Sequence, residues 1–195
     1  MDPRIDDVLA FWFGASDPPG DAIMARWFTK DPAFDDEIRR RFGALQTEAA
    51  SLPWRGTARG ELALLILLDQ FPRNLFRGDP RSFATDPLAL EIAHALRDSK
   101  RWKELTLHQR MFVTLPFQHA EDHAMQVESV ADTASLRAEA TDPSTRAFLD
   151  RCLSYAHQHQ TIIERFGRFP HRNEVLGRVS TDEERAFLSQ PGSSF

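Results

Sequence analysis

One cysteine and one tyrosine in 195 residues set the first limits on this chain. Cys152 alone cannot close an intramolecular disulfide, so the fold must hold by packing, and a reducing compartment suits it. The longest apolar run, Leu62-Ala63-Leu64-Leu65-Ile66-Leu67-Leu68, falls far short of the roughly 20 residues that a membrane-spanning helix needs. The opening residues Met1-Asp2-Pro3-Arg4-Ile5-Asp6-Asp7 carry acids and no apolar stretch of signal-peptide length. A cytoplasmic protein with no membrane partner is therefore expected. A surplus of positive charge is missing as well: the formal net charge is −5 with a pI near 5.8, which argues against a nucleic-acid partner. Also absent are a Gly-x-Ser-x-Gly elbow, a P-loop and a dinucleotide fingerprint.

Strand signals are lacking too, because Val and Ile are sparse beside Ala and Leu and no alternating pattern competes with helix. What is present is bulky core material, 15 Phe and four Trp; Trp12, Trp27, Trp54 and Trp102 read as packing residues. A chain of this length buries roughly 70% of its unfolded surface, and a single domain over residues 1–195 is expected. Six of the twelve prolines follow aspartate, at Asp2, Asp17, Asp31, Asp79, Asp86 and Asp142. Aspartate accepts from the free N–H groups of a first helical turn and proline fits that turn's geometry, so these pairs read mainly as helix starts. The expected helices cover 3–13, 21–29, 32–50, 60–71, 87–98, 106–115, 116–136, 143–167 and 181–189. Thr106 with Gln109 and Thr181 with Glu184 fit capping boxes. The result is an all-α fold of helical hairpins stacked in succession.

Two phrases carry chemistry. Gln70-Phe71-Pro72-Arg73-Asn74 follows one apolar helix, and Arg168-Phe169-Pro170-His171-Arg172-Asn173 follows another. Proline disfavours helix at the residue before it, so both helices are expected to stop near the phenylalanine. Asp69 and Gln70 then end a helix that is apolar on every side, and buried polar ends need partners. The phrases are expected to meet, bringing Arg73, Asn74 and Arg77 beside Arg168, His171, Arg172 and Asn173. Fork-shaped guanidinium donors match carboxylate or phosphate. The alternative is an internal network in which Asp69, Glu121, Asp122 or Glu164 neutralise the arginines.

On 143–167 a turn of about 100° per residue lines up Phe148, Cys152, Ala156, His159, Ile163 and Phe166. His159 thus stands on an apolar stripe, as a core histidine or as a group in the cavity; Cys152 reads as a small hydrophobe, not a nucleophile. A second stripe is expected from Phe117, Ala120, Ala124, Val127 and Ala131. His119 and His123 share the i, i+4 spacing of two metal ligands on one helix face. Glu121 lies about 200° around from His119, unlike the zinc-protease pattern, so no metal or other cofactor is expected.

The segments Leu67-Leu68-Asp69-Gln70-Phe71-Pro72-Arg73-Asn74-Leu75-Phe76-Arg77-Gly78, Phe83-Ala84-Thr85-Asp86-Pro87-Leu88-Ala89-Leu90, Pro116-Phe117-Gln118-His119-Ala120-Glu121 and Glu164-Arg165-Phe166-Gly167-Arg168-Phe169-Pro170-His171-Arg172-Asn173 resemble the bacterial DUF924 family. The likeness runs from Phe11-Trp12-Phe13-Gly14 to Pro191-Gly192-Ser193-Ser194-Phe195. It implies a tetratricopeptide-like helical array, although no 34-residue repeat is legible, and it implies no reaction or cofactor. The expected function is binding of an anionic small molecule or a carboxylate-bearing peptide end in a pocket of Asp69, Gln70, Arg73, Asn74, Arg77, His119, Glu121, His159, Arg168, His171, Arg172 and Asn173. Two alternatives stand beside it: a hydrolase using His119 or His159 with Glu121 for acid/base work, and an interaction scaffold whose polar clusters are structural. Oligomeric state is not legible.

Overall fold

The computed structural model describes residues 2–193, so Ser194 and Phe195 of the matching tail lie outside the described residues. Ten α-helices are present among the described residues and no strand: α1 Pro3–Phe13, α2 Asp21–Trp27, α3 Pro32–Glu48, α4 Ala58–Leu65, α5 Phe71–Leu75, α6 Asp86–Arg97, α7 Leu107–His119, α8 His123–Glu139, α9 Pro143–Phe166 and α10 Asp182–Leu188. Successive helices pack on one another, α6 on α7, α7 on α8 and α8 on α9, as in stacked hairpins. No helix among the described residues is long and apolar enough to cross a membrane.

The helix starts follow from the sequence. Asp2, Asp31 and Asp142 accept from the first turns of α1, α3 and α9, and both expected capping boxes form, at α7 and α10. Asp86 departs from this pattern. It lies inside the first turn of α6, behind the N-cap Thr85, and its carboxylate is used elsewhere. The apolar run supplies the centre of the core, each residue from Leu62 to Leu68 being at most 2% exposed. Around it Phe11, Trp12, Phe34, Phe42, Phe71 and Phe112 form a continuous aromatic cluster with ring centroids 5.0–6.2 Å apart. A smaller apolar group of Ile162, Ile163 and Phe169, flanked by Phe166 and Phe187, seats the C-terminal segment.

The first phrase corrects the proline expectation. The chain does not leave the helix at Phe71. α4 passes into a wide π turn, Ile66–Gln70, and continues as α5. In an α-helix the carbonyl of Leu68 would accept from residue 72, but Pro72 has no N–H. The Thr85 hydroxyl donates to Leu68 O instead, and the Arg73 guanidinium donates to Asp69 O at 2.7 Å. With those carbonyls satisfied from outside, proline widens the helix without ending it.

A second correction concerns the helix expected over 116–136. α7 runs through Pro116 and stops at His119, and the break falls at residues 120–122. The fully buried Gln126 amide donates to the carbonyls of Phe117, Gln118 and Ala120 at 3.3, 2.8 and 2.7 Å, which serves the C-terminal end of α7. The expected stripe through Phe117 and Val127 therefore spans two helices and loses its phase. Val127 is exposed, and α8 buries Gln126, Ser129, Thr133 and Leu136. α9 ends at Phe166, on Gly167 with φ 68°, ahead of the second phrase. Its stripe is as expected, with Phe148, Cys152, Ala156, His159 and Ile163 buried.

Candidate functional site

The two phrases meet at one carboxylate. Asp86 accepts from both terminal nitrogens of Arg73, at 2.9 and 3.0 Å, and from Arg172 Nη1 at 3.5 Å. Arg172 lies in the short helical turn Pro170–Arg172 that opens at the proline of the second phrase. Its guanidinium is sandwiched between the rings of Phe83 and Phe169, at 4.5 and 4.6 Å, and donates to His119 O at 3.0 Å. Burial, then the neighbouring Arg73, brings its pKa down to about 10, which still leaves it charged at neutral pH.

Asp69 stands behind this wall and is 1% exposed. It accepts from His119 Nδ1 at 2.7 Å and from the Gln70 amide, with Arg73 3.4 Å away. Desolvation pushes its carboxyl up, but Arg73 and His119 outweigh that and hold it below the usual carboxylate range. The pKa of His119 is lowered by burial first and then by Arg73. An ionised carboxylate only accepts, so His119 carries its proton on Nδ1 and keeps the Nε2 lone pair. Along the wall Asp35 of α3 takes the other two members of the first phrase, Asn74 Nδ2 at 2.7 Å and Arg77 Nε at 2.6 Å.

Of these groups Gln70, Arg73, Asn74, Arg77, Phe83, His119 and Arg172 border a cleft of about 760 Å³, within the usual size range of small-molecule sites. Two of the lining helices grade from apolar to polar in the same sense: α7 offers Met111 and Leu115, then Gln118 and His119, while α9 offers Cys152 and Tyr155, then His159. Trp27 and the exposed Phe28 and Lys30 add to the border from the α2 side. His159 Nδ1 lies 2.9 Å from Tyr155 O, its ring centroid 6.4 Å from that of His119. Burial draws its pKa down to about 3. Burial, then Arg172, takes His171 down to about 4.

Of the expected pocket residues, Gln70, Arg73, Asn74, Arg77, His119, His159, His171 and Arg172 line the cleft and Asp69 lies behind them. Glu121, Arg168 and Asn173 do not line it. Glu121 grips Arg178 at 2.6 and 2.9 Å and accepts from Phe169 N at 2.8 Å. Arg168 pairs with Glu184 at 2.7 Å, and Asn173 donates to Ser180 Oγ at 3.0 Å. All three serve to shape the loop that presents Arg172. The expected pairing of a histidine with Glu121 is thus not formed; the histidine–carboxylate contact at the cleft is His119 with Asp69. His119 and His123 end up on different helices, and His123 faces Glu164 at 3.4 Å; among the described residues no three metal-ligating side chains come together. Sequence reasoning missed Asp35 and Asp86 as counter-charges and Phe28, Lys30 and Tyr155 as cleft residues.

Cys152 lines the cleft, yet burial raises its thiol to about 12. In the folded protein it is expected to resist Ellman's reagent at mildly alkaline pH and to react fully once denatured. Prompt reaction of the native protein would contradict this.

The model of the family described as a bacterial protein of unknown function (DUF924) matches residues 8–192. A solved structure of a protein of unknown function from Agrobacterium tumefaciens is 38% identical, covers 95% of this chain and 97% of its own, and superposes with a TM-score of 0.80. No curated protein matches the chain.

Proposed function

This chain belongs to the DUF924 family, and on that footing we propose that its cleft binds a monoanionic amphipathic molecule, a carboxylate on an apolar or aromatic body, or the C-terminal end of a peptide of that character. The charge balance of the cleft carries the reading. Arg73, Arg77, Arg172 and Lys30 line it, while the carboxylates bound to those guanidinium groups are Asp35, Asp69 and Asp86. With the histidines neutral, four cations face three carboxylates, and one negative charge completes the set. A dianion would overshoot it. The apolar portion, Trp27, Phe28, Met111, Leu115 and Tyr155, supplies contact area for the rest of the ligand.

A second reading, a scaffold with purely structural ion pairs, draws on the fact that every guanidinium of the cleft already has a carboxylate. Against it, a purely structural network gains nothing from leaving so large a polar-apolar cleft open to solvent beside it.

Thermal-shift titration with hydrocinnamate separates the two. Saturation to about 100 times the dissociation constant is expected to stabilise by roughly 2.7 kcal/mol, with hydrocinnamamide inactive and Lys30→Glu or Arg77→Met weakening the effect. Equal shifts from the acid and the amide, or none from either, would defeat the binding proposal.

A further inference from the structure

We propose that His119, oriented by Asp69, is a general base that activates a water molecule against an acyl ester held in the cleft by a carboxylate elsewhere in the same molecule. The inference rests on the binding reading above and adds a reaction to it.

Four observations converge on His119. Its Nδ1 is committed to a carboxylate that is 1% exposed and lies at 2.7 Å, so the basic nitrogen is Nε2, on a residue that lines the cleft. An aspartate behind a histidine fixes tautomer and ring orientation and favours the imidazolium formed when a proton arrives. Next, the adjoining Gln118 also lines the cleft, is 5% exposed, and has a buried side-chain oxygen with no hydrogen-bond partner. A water donating one proton to that oxygen and the other to His119 Nε2 would satisfy both acceptors.

Third, Arg172 donates to the carbonyl of His119 itself, and its Nε–H is buried without an acceptor. A cationic donor beside the base is placed to stabilise the oxygen that becomes negative when water adds to an acyl carbon. Fourth, two of the protein nucleophiles that line the cleft are withdrawn from it. Cys152 is a buried thiol, and the Ser82 hydroxyl is 4% exposed and donates to Phe76 O. Water held between Gln118 and His119 is the nucleophile this arrangement serves.

The step balances. The water oxygen forms a bond to the acyl carbon while one of its protons passes to His119 Nε2; the carbonyl electrons move to the oxygen facing Arg172. The intermediate then collapses, the bond from acyl carbon to alkoxide oxygen breaks, and the proton on Nε2 passes to the leaving oxygen. One water and one ester give one carboxylic acid and one alcohol, and His119 returns to its neutral form. The substrate's own carboxylate is left to the Arg77 and Lys30 side of the cleft, since Arg172 serves the reacting oxygen.

Para-nitrophenyl hydrogen succinate tests the reaction, with nitrophenolate release as the readout and the hydrocinnamate thermal shift as the separate readout of binding. The wild type is expected to turn the ester over, more slowly when hydrocinnamate competes. His119→Asn is expected to lower kcat at least about 100-fold, with the hydrocinnamate shift retained. Asp69→Asn should also lower kcat, by inverting the tautomer. Because Asp69 is a buried ion-pair partner, diethyl pyrocarbonate gives a second measurement on the unaltered protein: His119 should be carbethoxylated, and hydrocinnamate should protect it. A wild type stabilised by hydrocinnamate that leaves the ester intact overturns the catalytic proposal and spares the binding one, as does a His119→Asn variant with wild-type turnover. Neither stabilisation nor turnover overturns both.

Discussion

Lowering the pH from about 7 to about 5 is expected to remove on the order of 3 kcal/mol of folding stability, ahead of any protonation of the paired carboxylates. The cause lies in histidines that the fold keeps neutral. His159 is lowered to about 3 and His171 to about 4, in both cases by burial before any other influence. In the unfolded chain each titrates near 6.5. Above that pH neither state binds the proton and the histidines contribute nothing to the pH dependence. Below it the unfolded chain takes up protons that the native state refuses, so each group costs up to about 1.4 kcal/mol per pH unit until its folded pKa is reached. Two such groups over about one and a half units would reach roughly 4 kcal/mol; the partial exposure of His171 reduces this. His108 and His119 shift in the same direction. Glu184, held at about 2 chiefly by Arg168, adds its own loss only as pH falls below the unfolded glutamate value near 4.3. Urea unfolding across this range, with proton uptake taken from the slope, checks the expectation. A flat profile between about pH 6.5 and 5 would show that these imidazoles are solvated in the native state.

The second large effect is expected at Asp86. Replacing it with Asn should destabilise the protein by about 3–5 kcal/mol, since Arg73 would keep only Asp69, 3.4 Å away, and the buried Arg172 would lose its ion-pair partner. The double variant Asp86→Asn with Arg172→Met is expected to be less destabilised than the sum of the two single changes, because removing one guanidinium relieves the other. Additive losses would mean that the two phrases are not coupled through this carboxylate. Denaturant midpoints of the four proteins decide it.

Much of this site was legible from residue types and spacing. An apolar run with no polar face has to be central, and that placed Asp69 and Gln70 in the interior and demanded polar partners for them. The second phrase, about 98 residues further on, was the store of such partners, and the two do meet. The acids that neutralise the arginines were not legible. Glu121 and Glu164 stood closest to the right motifs, but pairing is set by where helices cross, and that placed Asp35 and Asp86 against the guanidinium groups. Asp86 in particular carried the signature of a helix cap, a local role that its tertiary use overrides. The apolar part of the cleft left no trace in the sequence, because Phe28 and Tyr155 look like any other aromatic residues until the fold leaves them at an opening. Proline misled for a related reason: the rule that it ends helices assumes its orphaned carbonyl has nowhere else to turn, and Thr85 lies in a different segment.

The wide turn at Ile66–Gln70 can also be regarded as an angular offset. A helix is a screw, and one extra residue in a turn sets back everything beyond it by about 100°. The half before the turn faces its side chains into the aliphatic core. In the half after it, Arg73 stands at the cleft, and Arg77 lines it from just beyond the end of α5. Were residues 58–75 an unbroken α-helix, Arg73 would be swung by more than a quarter of a revolution, away from Asp86. The cationic wall is thus aimed by the backbone, through a phase shift that Pro72 imposes and that one hydroxyl from across the chain keeps in place.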